Sequence, residues 1–95
     1  MYKRFMMKTL VDPFTVYLPH LDLHGEVRDS VKFLVNTFIK DNYLLKKDKV
    51  VIIHGRSGGV LRKEVHLVLK NNEYVKDYYV DSVNSGQTIV QIKLV

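Results

Sequence analysis

The sequence predicts an α/β fold: a two-layer sandwich in the order β-α-β-α-β-β, with a four-stranded mixed sheet and two helices on one face. Three observations predict it. Apolar residues recur at helical spacing in two segments. The run KVVIIH between them is typical of a buried parallel strand. A short Asn-Ser-Gly turn separates the last two apolar stretches, so the final strand should fold back antiparallel.

Three patterns predict the first three elements: alternating apolar residues predict a strand, a helical apolar period predicts a helix, and a β-branched run predicts a second strand. Leu21 and Leu23 lie on one face of a short strand that ends at Gly25. The apolar period that follows predicts an amphipathic helix over about 26–43. The second strand is the β-branched run at 49–54, bounded by charged residues before it and glycine after it.

The second half of the chain repeats this order and then turns back. A glycine-rich loop at 55–59 opens a second helix over about 60–71, whose apolar residues fall on one face. EYVKDYYVDSV at 73–83 predicts the third strand, and TIVQIKLV at 88–95 predicts the fourth. Right-handed crossovers make the first three strands parallel.

Length and composition limit the classes of protein. The 95 residues suffice for one domain, which we place at 18–95 behind an N-terminal arm at 1–17. The chain has no Cys, which excludes disulfide scaffolds and thiol nucleophiles. The formal charge of +5 favours polyanionic partners, nucleic acid above all. Without an apolar run of about 18 residues, we expect no membrane span, and we predict a cytoplasmic monomer.

Polar side chains end the first two predicted strands at the same edge of the sheet. Asp22 and His24 close the first strand, and His54 closes the second. Because ligands of open α/β sheets bind beyond the carboxyl ends of parallel strands, we expect the two imidazoles to flank a single ligand.

The loop after the second strand has the composition of an anion site. Its glycines permit close backbone approach, and the first amides of the following helix point outward. It lacks the spacing of a P-loop and of a dinucleotide fingerprint, so no nucleotide cofactor is implied. The predicted phosphate or nucleic-acid ligands are Gly55, Arg56, Ser57, Gly58, Gly59, Arg62 and Lys63.

Three segments together resemble the Smr (small MutS-related) domain family. They are LDLHG at 21–25, IIHGRSGGVLR at 52–62 and SGQTIVQIK at 85–93. The resemblance implies the same β-α-β-α-β-β sandwich and an endonuclease. Members of the family nick or cleave structured DNA, and others cleave RNA, including mRNA on stalled ribosomes.

The resemblance also implies which residues are active. Its motifs place catalysis on Asp22, His24 and His54. Two positions depart from the pattern: Ser57 stands where the family has the middle glycine of the loop, and Arg56 stands where it usually has lysine. The arginine keeps the charge and adds a planar fork of donors.

These residues are consistent with acid–base cleavage of a phosphodiester. One imidazole, oriented by Asp22, would take a proton from the attacking oxygen, and the other would protonate the leaving oxygen. On RNA the nucleophile would be the 2′-OH, which needs no metal. On DNA it would be water, aided by a divalent Mg²⁺ or Mn²⁺ held by Asp22. His24 and His54 form no zinc motif, so we predict no tightly bound metal and no required cofactor.

Two functions of other classes stay open. The same basic edge could hold nucleic acid or the ribosome without turnover, or the aromatic arm at 1–17 could contact a protein partner. Asp22 and His24 could equally form a structural hydrogen-bonded pair. The helical pattern predicts His66 to be a surface residue, and Thr88 is either a hydrogen-bonding support of the site or a β-former.

Overall fold

The computed structural model describes residues 15–94, so most of the predicted arm at 1–17 lies outside the described residues. The observed order is β-α-β-α-β-β, as predicted. The elements are β1 (His20–Asp22), α1 (Arg28–Leu44), β2 (Lys49–Ile53), α2 (Val60–Lys70), β3 (Val75–Val80) and β4 (Gln87–Ile92).

The sheet is mixed, with the strand order β1-β2-β4-β3. β1 runs parallel to β2, with Leu21 opposite Ile52. β4 runs antiparallel to both β2 and β3, so the first three strands share one direction, which confirms the predicted mixed sheet. β4 lies between β2 and β3 and is buried along almost its whole length.

Both helices cover one face of the sheet. Because side chains alternate between faces along a strand, the core side chains of β1, β2 and β4 fall on every second residue. These side chains are Leu21, Val50, Ile52, Val90 and Ile92, and Leu23 directly after β1 continues the alternation. α1 contributes Val31, Val35, Phe38 and Ile39 to the same core, and α2 contributes Val65, Val68 and Leu69. The strand ends therefore project from a rigid support.

The helix boundaries are set by local backbone conformation. α1 begins at Arg28, two residues later than predicted, because Val27 is extended, with φ −84° and ψ 152°. α2 begins at Val60 after Gly59, which adopts a left-handed conformation with φ 75°. No helix within residues 15–94 is both long and apolar enough to cross a membrane.

Candidate nuclease site

The turn before β4 fixes the end of β2. The backbone amides of His54 and Gly55 both donate to the Gly86 carbonyl oxygen, at 3.0 and 2.9 Å. Gly86 permits this approach because a Cβ there would lie 3.2 Å from both Arg56 Cγ and Asn84 Oδ1. The glycine-rich loop after β2 and the turn before β4 therefore meet at the same edge of the sheet.

The His54 side chain is buried between the sheet and α2. Only 5% of it is exposed. Its Nδ1 donates to the Gly55 carbonyl oxygen at 3.0 Å, and its Nε2 lies 2.8 Å from the Thr88 hydroxyl oxygen. Thr88 itself is fully buried in β4. Both ring nitrogens of His54 are therefore engaged within the protein.

His66, predicted to be a surface residue, is only partly exposed and also contacts the sheet. His66 lies one turn after Arg62 in α2, and its Nε2 is 2.8 Å from the Thr88 hydroxyl oxygen. Its ring lies 6.1 Å from that of His54 and 5.1 Å from that of Tyr78, measured between centroids. The residue flanks the apolar stripe of the helix, and so faces the sheet where β4 offers a hydroxyl.

Burial and neighbouring positive charge keep these two imidazoles neutral. Burial lowers the pKa of His54; the Gly55 carbonyl opposes this effect, and the Arg62 charge adds to it. Burial also lowers the pKa of His66, and His54 and Arg62 lower it further. Near neutral pH both rings are therefore deprotonated, the form that can accept a proton.

These lowered pKa values predict that the chain loses stability in mild acid. Below the ordinary histidine pKa of 6.5 the unfolded chain binds more protons than the folded chain, so the free energy of unfolding falls as the pH falls. Urea unfolding at pH values of about 7.5 and 5.5 measures the loss in a window that largely avoids carboxylate titration. The H66Q variant has one histidine with a lowered pKa fewer, so its free energy of unfolding should fall less between these two pH values. Equal stability of the wild-type chain at both values would contradict the shifts.

Asp22 closes the turn after β1. Its Oδ1 accepts a hydrogen bond of 2.8 Å from the backbone amide of His24. The Leu23 amide continues the ladder to the Ile53 carbonyl at 2.8 Å. Since Leu21 and Leu23 face the helices, alternation directs Asp22 to the other face of the sheet.

The hydrogen bond between Asp22 and His24 agrees with the structural role considered for this pair. The imidazole that lies beside His54 is that of His66 and not that of His24. The His24 side chain is exposed. Within residues 15–94, no hydrogen bond or ring contact joins His24 to His54, and the imidazole beside His54 is His66. The catalytic roles of Asp22, His24 and His54 stay predictions.

The glycine-rich loop presents backbone amides at the start of α2. Gly58 and Gly59 both adopt positive φ, at 73° and 75°, which a side chain would disfavour. Ser57 is not among the positive-φ residues, so it fits the loop without strain. Within residues 15–94, no side chain caps the helix at Gly59, so the amides of its first turn, from Val60 onward, are available to an anion. The Gly59 amide itself donates to the Ser57 carbonyl oxygen at 2.8 Å.

Three cations at this loop have no carboxylate partner among residues 15–94. Arg62 packs over the loop: a Cβ on Gly59 would lie 3.2 Å from its Nη2 atom. Arg56 and Lys63 are exposed. Within residues 15–94 the one ion pair joins Arg28 to Glu64, so the charges of Arg56, Arg62 and Lys63 are not neutralised there. These cations therefore lie together at the start of α2, and their role as phosphate ligands stays a prediction.

The same part of the chain, residues 15–94, holds no group of three or more His, Asp or Glu side chains placed to bind a metal ion. Asp22 offers a carboxylate oxygen beyond the one that accepts from the His24 amide. A divalent ion at this position would therefore need further ligands from water or substrate.

Comparison with known proteins agrees with the resemblance of the three motifs. The Smr domain family matches residues 21–93. Endonuclease MutS2 of Lachnoclostridium phytofermentans is 40% identical over 78 residues, which is 79% of this chain and 10% of that protein. Endonuclease MutS2 of Halothermothrix orenii is 36% identical over 78 residues, with the same shares. The chain therefore matches about one tenth of the length of these relatives.

Solved structures share the fold. The crystal structure of the Smr domain of Thermus thermophilus MutS2 superposes with a TM-score of 0.76 at 19% identity, over 80% of this chain and 99% of that one. YdaL, a stand-alone small MutS-related protein from Escherichia coli, gives 0.73 at 22% identity, over 78% and 63%. The sequence match, the strand order and these superpositions agree, and the chain belongs to the Smr domain family.

Proposed function

We propose that this chain is an endonuclease domain that cleaves phosphodiester bonds in RNA or in structured DNA by acid–base catalysis. The observation that carries the proposal is the edge where un-neutralised cations and open helix amides border a cluster of neutral imidazoles. Phosphate binding and proton transfer are the two requirements of this reaction, and groups suited to each lie at one edge. The MutS2 relatives are named endonucleases, which supports the reaction class.

The cations and amides have an electrostatic role. Arg56 and Arg62 would bind the phosphate oxygens and stabilise the charge that gathers on them in the transition state. Asp22 and His24, at the neighbouring strand end, would act on the attacking or leaving oxygen. On RNA the 2′-OH serves as nucleophile; on DNA a water would serve, aided by Mg²⁺ or Mn²⁺.

A second function is supported by the burial of His54. A ring whose two nitrogens are both bonded within the protein holds the loop in place without taking part in turnover. The domain would then be a non-catalytic module that binds nucleic acid, or ribosomal RNA in particular, through the same basic edge.

One pair of assays separates these functions. The chain is incubated with single-stranded RNA, a branched DNA and nicked plasmid, each with Mg²⁺, with Mn²⁺ and with EDTA, and the product ends are analysed. Affinity is measured in parallel between about 50 and 200 mM salt, where phosphate binding should weaken steeply. Product that increases with time supports the endonuclease. Salt-dependent binding without product supports the binding module, and salt-independent binding contradicts both.

A further inference from the structure

Three side chains from three elements form a continuous chain of hydrogen bonds at the edge of the site. Thr88 of β4 lies at its centre. Its hydroxyl oxygen is 2.8 Å from His54 Nε2 and 2.8 Å from His66 Nε2. The far end of His54 donates from Nδ1 to the Gly55 carbonyl oxygen at 3.0 Å.

The direction of each bond follows from what each group can donate. A carbonyl oxygen only accepts, so His54 carries its proton on Nδ1, and its Nε2 presents a lone pair. Thr88 has a single hydroxyl proton, which it donates to that lone pair. Its oxygen therefore accepts from His66, which carries its own proton on Nε2. In the neutral His66 ring, the nitrogen left with a lone pair is Nδ1.

The two imidazoles differ in what they can offer a substrate. His54 is buried, and both of its nitrogens are used. His66 is only partly buried, and its Nδ1 has no hydrogen-bond partner within residues 15–94. The ring also lies beside Arg62, whose guanidinium packs over the phosphate-binding loop. Within residues 15–94, His66 Nδ1 is thus the ring nitrogen of this cluster without a hydrogen-bond partner, on a residue one helical turn after Arg62.

We propose that His66 Nδ1 is the nitrogen that takes the proton from the attacking oxygen, and that Thr88 and His54 are positioning residues that hold the His66 ring. This inference rests on the proposed endonuclease function. As the oxygen–hydrogen bond of the nucleophile breaks, its proton passes to Nδ1 and the new phosphorus–oxygen bond forms. The bond to the leaving oxygen breaks, and that oxygen takes a proton delivered through Asp22 and His24, which solvent replaces. His66 later returns its extra proton to solvent.

The groups that face His66 decide when it can act. They are His54 at the end of β2, Arg62 on the same helix and Tyr78 of β3. Two of them oppose a positive charge on the ring, so His66 is neutral and ready to accept a proton near neutral pH. A phosphate bound against Arg62 would offset that repulsion and stabilise the imidazolium that forms.

The substitution H66Q separates catalysis from positioning. A glutamine amide can still donate to the Thr88 hydroxyl but has no nitrogen that accepts a proton. We expect the cleavage rate to fall by about 100-fold, the lower limit for general acid–base catalysis. We expect substrate affinity to stay within about twofold, and the acidic limb of the pH–rate profile to disappear. The matched control is H20Q, since His20 bonds to the Leu18 carbonyl, away from this cluster.

An H66Q variant with the wild-type rate and pH profile would overturn the proposal. Imidazole ¹⁵N spectra test it without any substrate. They should show His54 as the Nδ1–H tautomer and His66 as the Nε2–H tautomer; the reverse tautomer at His66 would overturn the proposal. A wild-type chain that cleaves nothing under any condition would instead overturn the proposed function, and the catalytic part of this inference with it.

Discussion

Replacement of Asp22 by asparagine should lower the cleavage rate by about 100-fold or more, while the stability of the fold stays almost unchanged. The asparagine Oδ1 can still accept the hydrogen bond from the His24 amide, so the turn after β1 persists. The negative charge is lost, and with it the capacity to orient a cation, an imidazole or a metal-bound water. A gel or fluorescence cleavage assay and a thermal melt measure the two effects separately.

Asp77 provides a matched control for this experiment. Its Oδ1 also accepts from a nearby backbone amide, that of Tyr78 at 2.9 Å, but it lies on the edge strand β3. D77N should cleave at the wild-type rate. If D22N also cleaves at that rate, Asp22 and His24 are a structural hydrogen-bonded pair that fixes the turn.

Replacement of Thr88 by valine should destabilise the fold by about 1–3 kcal/mol and lower cleavage as well. Valine keeps the shape of the side chain but removes the hydroxyl that bonds both imidazoles. His54 Nε2 would then be buried without a partner, which carries the desolvation cost of an unsatisfied polar group. His66 would lose the contact that holds its tautomer, so the rate should fall beyond the effect on folding.

Urea unfolding and the cleavage assay, run on soluble folded protein, measure this prediction. T37V is the matched control, because Thr37 lies on the exposed face of α1. T88S keeps the hydroxyl and should retain most of the activity. A T88V variant with wild-type stability would show that the hydroxyl contributes nothing to the fold, and one with wild-type cleavage would contradict its positioning role.

The element order and the edge of the site could be predicted because they depend on local patterns. Helical period, β-branching and glycine turns gave six elements whose bounds differ from the observed ones by a few residues. The position of His54 follows from those elements because it comes directly after β2. Gly86 lies at the same edge because β4 is antiparallel to β2 and begins where β2 ends. The cations Arg56, Arg62 and Lys63 could be predicted because they lie in or directly after the glycine-rich loop in the sequence.

Two features depend on distant contacts and could not be read from local pattern. β4 inserts between β2 and β3, and a short turn specifies only that it pairs with β3. The role of His66 depends on that insertion, since its partner Thr88 is 22 residues away in sequence. One signal was present: His66 follows Arg62 by four residues, so the two share a helix face near the loop.

The central claim is that a phosphodiester binds at the edge formed by the glycine loop and the imidazole cluster. Backbone and imidazole NMR spectra, recorded during titration with a 2′-O-methyl RNA that cannot be cleaved through its 2′-OH and with a DNA hairpin, test this claim directly. We predict that the largest shifts fall on the amides of Gly58 and Val60 and on the rings of His54 and His66. Shifts confined to the groove at the far end of α2, around Asn36 and Lys40, would contradict the claim.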